Sequence, residues 1–124
     1  MKDKRPVNLD IGTIKLPITA YASISHRVSG VALVVFSFVL LWALDASLAS
    51  SDSFDALARA LSGFVPRLIV WAISVALIYH SLAGVKHLIM DFGVGETMKG
   101  GVLGARIVFV LTLVGAAALG VALW

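Results

Sequence analysis

The chain has no cysteine, only three prolines, and little charge: 14% of its 124 residues are Asp, Glu, Lys or Arg, against about 25% in an ordinary soluble domain. Without cysteine it can form no disulfide and can supply no thiolate or iron–sulfur ligand. Any redox centre it holds must therefore use histidine, of which there are three. The scarcity of charge also leaves little water-facing mass in which a soluble active site could be built. A net charge of +3 is modest, and where the basic residues fall explains it without a nucleic-acid partner.

What fills the space is apolar: 60% of the residues are hydrophobic. Three windows carry no Asp, Glu, Lys or Arg: Val28 to Leu44, Leu68 to Val85, and Ile107 to Trp124. With their weakly polar ends, each reaches the roughly 20 residues needed to cross a hydrocarbon core about 30 Å thick. The runs are continuous rather than alternating, so helices are expected and membrane strands are not. The expectation is an all-α integral membrane domain over 1–124 with three transmembrane helices near 22–46, 66–91 and 103–124. Pro17 suits a first helical turn and places the start of the first span close to it. That span begins too late and runs too long for a cleaved signal peptide, so it is expected to remain in the mature protein.

The ten basic residues divide unevenly around these spans. Lys2, Lys4, Arg5, Lys15 and Arg27 precede the first charge-free window, and Lys86, Lys99 and Arg106 lie between the second and third. Only Arg59 and Arg67 flank the remaining loop. The positive-inside rule then puts the N-terminus in the cytoplasm and the C-terminus outside. Within the outer loop, Phe54, Leu57, Leu61 and Phe64 recur at helical spacing before Pro66, as in a short amphipathic piece lying on the membrane surface. Gly100 and Gly101 are expected to make the turn into the third span. Ala116 and Gly120, one turn apart, suit close helix packing.

His80 is the most informative residue. Inside the second apolar window the only other titratable group is Tyr79, and an ionisable side chain at that depth is costly enough to mark a functional site. His80, Gly84, His87 and Asp91 recur at i, i+4, i+7 and i+11, which keeps them within about 60° of one another on a helix. In the first span Ser23, His26, Arg27 and Gly30 likewise share one face. The two stripes suit haem b. A neutral imidazole at His80 can ligate iron, Gly84 leaves room for a flat macrocycle, and His26, Arg27, Lys86 and His87 wait for propionates at the rim. Counting residues puts His26 and His87 roughly 10 Å shallower than His80, so this chain offers half of a bis-histidine site. Other readings of the same residues stay open: a histidine bonding across to a neighbouring helix, a haem-free structural anchor, or a small transporter with His80, His87 and Asp91 as a proton relay.

Three segments taken together are specific. Arg5-Pro-Val-Asn-Leu-Asp10, then Pro17-Ile-Thr-Ala-Tyr-Ala-Ser-Ile-Ser-His-Arg-Val-Ser-Gly30, then His80-Ser-Leu-Ala-Gly-Val-Lys-His-Leu-Ile-Met-Asp91 resemble the cytochrome b membrane-anchor subunit of bacterial succinate dehydrogenase. The likeness extends over essentially the whole chain. It implies an inner-membrane protein in which His80 is an axial ligand of haem b, the other ligand coming from a second hydrophobic anchor subunit. His26 and Arg27 fall where the family meets the propionates; Gly84 is placed beside the cofactor by spacing alone, and for His87 a propionate and the quinone region stay open. Ser23 and Arg27 match positions lining a ubiquinone site, and Asp91 is placed to join a proton route. FAD and iron–sulfur clusters are implied only in the flavoprotein and iron–sulfur partners, so the chain is non-catalytic by itself. Related fumarate reductase anchors run the reverse reaction, and these residues do not distinguish the two directions.

Overall fold

In the computed structural model, which describes Val7, Leu9, Asp10 and residues 12–124, every regular element is a helix. Lys2, Lys4, Arg5 and part of the Arg5–Asp10 segment lie outside the described residues. In order along the chain the helices are α1 (Ile18–Ala49), α2 (Ser51–Leu61), α3 (Phe64–Asp91) and α4 (Met98–Leu123). Three of them, α1, α3 and α4, are long and apolar enough to cross a membrane. At 32 residues and about 1.5 Å per residue, α1 is longer than a hydrocarbon core is thick, so both of its ends reach past the apolar layer.

Local chemistry sets the boundaries. Pro17 stands as the N-cap of α1 with extended backbone, and its carbonyl accepts from the amides of Ala20 and Tyr21. Ser50 is extended and serves two helices, closing α1 and opening α2. Its hydroxyl accepts from the Ser53 amide while Ser53 Oγ accepts from the Ser50 amide, a capping box. Ser53 Oγ also donates to the Ala46 carbonyl at 2.7 Å, satisfying one of the last open carbonyls of α1. The corner is thus tied by side chains, and α2 is folded back beside it. Phe54 and Leu61 remain more than a third exposed, on the apolar face expected to lie in the membrane surface. Phe64 belongs to α3 rather than to that amphipathic piece, with Pro66 in the first turn of α3.

The turn from α3 to α4 differs from the sequence reading. Gly93 and Gly95 make it, with φ of 84° and 76°, values that glycine adopts without steric cost. Gly100 and Gly101 lie instead inside α4, whose N-cap is Thr97 with its hydroxyl accepting from the Gly100 amide. Gly100 is needed for contact: a Cβ there would stand 2.7 Å from both the Cα and the carbonyl oxygen of Gly95. A helix can start so close to a turn only if that position has no side chain.

Few large side chains are buried, and close approach of small ones holds the bundle together. Ala22, Ala83 and Ala105 are buried, Ala105 completely, and Tyr79, Ala83 and Val108 form the core with Leu82 and Phe109 packed on it. Lipid is as apolar as leucine, so helices in a bilayer gain from tight packing and interhelical hydrogen bonds more than from hiding large hydrophobes. Both devices are present. Trp71 Nε1 donates to the Ala116 carbonyl at 2.8 Å, and a Cβ on Gly120 would meet Trp71 Nε1 at 3.8 Å, so the small pair in α4 receives the indole. Tyr79 Oη donates to the Ala22 carbonyl at 2.6 Å, buried between α3 and α1. Most large apolar residues of α1 stay exposed, among them Val31, Val35, Phe38, Leu41 and Trp42, as lipid-facing side chains should be.

Candidate functional site

The two polar stripes meet. Ser23, His26 and Arg27 from α1 and His80, Gly84 and His87 from α3, with Leu88, line one open groove of about 520 Å³. Contacts between the helices run antiparallel, since residues late in α3 lie beside residues early in α1: His80 touches Gly30 while Gly84 lies near His26. Asp91 does not line the groove. It is the last residue of α3, exposed to solvent. Lys86, expected among the rim cations, faces away instead: its stem lies along α4, where a Cβ on Gly104 would come within 3.0 Å of Lys86 Cε. Six residues beyond His80 the helix has turned through about 240°, which carries Lys86 out of the stripe.

The histidines are closer than residue counting suggests. His26 and His80 stack with ring centroids 4.2 Å apart and planes 15° from parallel, and His26 and His87 stand 5.0 Å apart. The expected offset of roughly 10 Å between His26 and His80 is therefore corrected. Counting along each axis ignored how far side chains lean and how the two helices register against each other. Stacked imidazoles point their ring-plane lone pairs side by side rather than at each other, so His26 and His80 in this arrangement cannot take opposite faces of one iron.

Around His80 the hydrogen bonding is decisive. Its Nδ1 lies 3.1 Å from the His26 carbonyl oxygen and 3.1 Å from Ser29 Oγ. A carbonyl can only accept, so Nδ1 carries the ring proton and donates, and Nε2 keeps its lone pair. Among the described residues Nε2 makes no hydrogen bond, and it is not one of the enclosed unpartnered atoms. A neutral imidazole with one nitrogen tied to the backbone and the other bare is the form in which histidine binds a metal. Close approach of α1 permits it: a Cβ on Gly30 would stand 3.0 Å from His80 Cε1. Gly84 faces the other ring, 3.8 Å from His26 Nε2 by the same measure.

A second observation concerns His26, whose Nε2 is enclosed and has no hydrogen-bond partner. A buried polar atom without a partner costs about 1–3 kcal/mol, and among the described residues nothing meets this one. Among the described residues no three His, Asp or Glu side chains converge to hold a bare metal ion. Haem asks for less, because the porphyrin supplies four nitrogens and this chain need add only one. The residues present thus fit a haem: a bare Nε2 at His80, glycines where the rings and helices approach, an unpartnered nitrogen at His26, and the exposed guanidinium of Arg27 beside them. Ser29 and Gly30 were not singled out as contacts of His80. The available signal was the position of Ser29, three residues after His26 within the Ser-x-x-His-Arg-x-Ser-Gly segment.

Comparison with known proteins identifies the family. Residues 1–119 match the family described as succinate dehydrogenase/fumarate reductase transmembrane subunit. The succinate dehydrogenase cytochrome b556 subunit of Coxiella burnetii is 36% identical, with both chains covered in full. That of Paracoccus denitrificans is 32% identical over 91% of this chain and 92% of its own. The succinate dehydrogenase cytochrome b560 subunit of Reclinomonas americana is 34% identical over 75% of this chain and 68% of its own. A match over nearly the whole length, joined to three membrane-crossing helices and a histidine groove between two of them, shows that the chain belongs to the succinate dehydrogenase/fumarate reductase transmembrane subunit family.

Proposed function

We propose that this chain is the haem b-binding anchor of a bacterial succinate dehydrogenase, holding the iron through His80 Nε2 and helping to form the site where ubiquinone is reduced. The observation that carries the reading is the 3.1 Å contact of His80 Nδ1 with the His26 carbonyl: a carbonyl can only accept, so Nδ1 is committed as a donor and Nε2 is the nitrogen of that ring left for a metal. His26, Arg27 and His87 lie on the same groove and would hold the propionates, which want positive charge and N–H donors. Gly84 keeps the wall of the groove low. Because His26 is stacked on His80 and cannot oppose it, a second protein ligand would have to come from another hydrophobic anchor subunit.

The distribution of basic residues orients the chain with its N-terminus and the α3–α4 turn in the cytoplasm and its C-terminus outside, within the bacterial inner membrane. The groove then opens toward the cytoplasmic side, where a flavoprotein and an iron–sulfur partner would dock and deliver electrons derived from succinate. When bound, the haem supplies a one-electron redox centre between the two anchors. Ser23 and Arg27 supply hydrogen-bond donors to the quinone carbonyls, and the fixed positive charge of Arg27 favours negative charge that develops on them. Asp91, exposed at the end of α3 and one turn beyond His87, takes protons from cytoplasmic water. The relatives named above are succinate dehydrogenase subunits, which favours succinate oxidation over the fumarate reductase direction.

The test is a reduced-minus-oxidised optical spectrum of the complex purified through this subunit, wild type beside His80→Ala, with its co-purifying chains identified. A b-type band that the substitution removes, together with flavoprotein and iron–sulfur chains, is the expected result. A colourless wild-type complex would withdraw the haem assignment and leave a structural anchor.

A further inference from the structure

The His26 carbonyl explains why Nδ1 of His80 is protonated, but it is not the only acceptor that this N–H meets. Ser29 Oγ lies 3.1 Å from Nδ1 and 2.9 Å from the same His26 carbonyl. The three groups close a triangle in which the carbonyl, able only to accept, favours a proton on Nδ1 and a second on the Ser29 hydroxyl, both aimed at it. The carbonyl accepts from both sides. The Ser29 hydroxyl spends its one proton on the carbonyl, which leaves its lone pairs for Nδ1–H. If Nδ1 were bare instead, its lone pair and the carbonyl's would face each other at 3.1 Å with nothing between them.

Ordinary helix chemistry accounts for only half of this. Serine hydroxyls commonly bond back to the carbonyl one turn earlier, and Ser37, Ser47 and Ser62 do so here, to Val34, Leu44 and Arg59. Those three bonds stay within one helix or its cap. Ser29 differs in two respects: it is buried, 9% exposed, and its oxygen reaches a ring on another helix 51 positions away. Gly30, beside it, lacks the side chain that would hold that ring off, since a Cβ there would lie 3.0 Å from Cε1 and 3.5 Å from Nδ1 of His80. A buried hydroxyl next to a glycine thus presents two acceptors, carbonyl and Oγ, to one N–H.

Resting on the haem reading above, we infer that Ser29 is a positioning residue for the haem iron: its Oγ shares the Nδ1 proton of His80, fixes the plane of the imidazole and raises the basicity of Nε2. The direction of the effect follows from charge. An acceptor on Nδ1–H draws the proton outward and leaves the ring richer in electrons, which favours the oxidised iron and lowers the potential. Removing one acceptor of two raises the potential and loosens the ligand. It also frees the ring to rotate about its remaining bond to the carbonyl.

The experiment compares wild type, Ser29→Ala, Ser29→Thr and His80→Ala in the intact purified complex. It measures the midpoint potential of the b haem, the electron paramagnetic resonance g-values of the oxidised haem, and the rate of haem loss to excess apomyoglobin. Ser29→Ala is expected to raise the potential, shift the g-values and speed haem loss about tenfold, the low end of the range for outer-shell partners because the His26 carbonyl remains. Ser29→Thr, which keeps the hydroxyl, is expected to restore all three. Wild-type potential and g-values in Ser29→Ala, a downward shift, or a Ser29→Thr complex that behaves like Ser29→Ala would each overturn the inference. If Ser29→Ala does not assemble, Ser29→Cys, of similar size but a weak acceptor, is expected to show the same upward shift, and a wild-type potential there overturns it equally. His80→Ala separates the two levels of the argument. An unaltered b-type spectrum in that variant sinks the haem assignment itself, whereas its loss beside an unaltered Ser29→Ala complex sinks only the role of Ser29.

Discussion

His26 stacks face to face on His80, their centroids 4.2 Å apart, although one belongs to the early part of α1 and the other to the later part of α3. The contact links backbone to side chain as well, because the carbonyl of His26 accepts from the ring it stacks upon. One residue therefore both packs against the candidate ligand and sets its tautomer. His87, 5.0 Å from His26, extends the array toward the end of α3. Three rings thus stand in sequence along the groove, with His26 Nε2 left without a partner among the described residues.

Arg27 is exposed on the lining of that groove. Replacing it with leucine keeps the bulk and deletes the charge, so quinone reductase activity of the complex is expected to fall by about 10²-fold, as for loss of one charge-stabilising donor. Succinate oxidation with an artificial soluble acceptor should be unchanged. The two assays run side by side on one preparation, and equal activity with quinone would remove Arg27 from the site.

Tyr79→Phe deletes the hydroxyl that donates to Ala22 while leaving the aromatic packing on Phe109 at 5.6 Å. The Ala22 carbonyl keeps its intrahelical partner, so the cost is that of one interhelical bond, about 0.6 to 1.5 kcal/mol. A lower midpoint of thermal unfolding in detergent is expected. No change would mean that packing alone holds α1 to α3 at this level.

The adjacent glycines of α4 should respond oppositely to one methyl group. Gly100→Ala drives a Cβ to within 2.7 Å of Gly95 backbone atoms, which cannot move aside without remaking the turn, so a loss of about 1–3 kcal/mol is expected. Gly101→Ala meets only Thr19 Cγ2 at 3.6 Å, an ordinary contact, and alanine favours the helix. Yield and thermal stability of the two variants in detergent are the measure. Equal tolerance of both would show that the α3–α4 turn yields more easily than its backbone contacts indicate.

Much of this protein was legible in one dimension, because a bilayer imposes strong rules on composition. Continuous apolar windows dictate membrane-crossing helices wherever they occur, and a histidine within one of them stands out against its surroundings. The stripes of Ser23, His26 and Arg27 and of His80, Gly84 and His87 followed from helical periodicity, and α1 and α3 turn both toward one groove. Periodicity assigns a residue to a face of its own helix and says nothing of the neighbour's register. Hence helical spacing groups Lys86 with the rim although its stem lies on Gly104, and residue counting sets His26 too far from His80. Turn chemistry failed similarly: Gly93, Gly95, Gly100 and Gly101 all read alike in sequence. Only the chain's path shows that the first two take positive φ while Gly100 clears the Gly95 backbone.

The sequence by itself determined the class of protein, the helices and the identity of the deep histidine, since each depends on local composition or on spacing within one helix. Tertiary structure decided which nitrogen of that histidine is free, why Ser29 and Gly30 stand where they do, and why His26 cannot be the opposing ligand. Those outcomes depend on distances of about 3 to 4 Å between groups more than fifty residues apart in sequence, and such distances exist only once two helices have fixed their depth and rotation against each other.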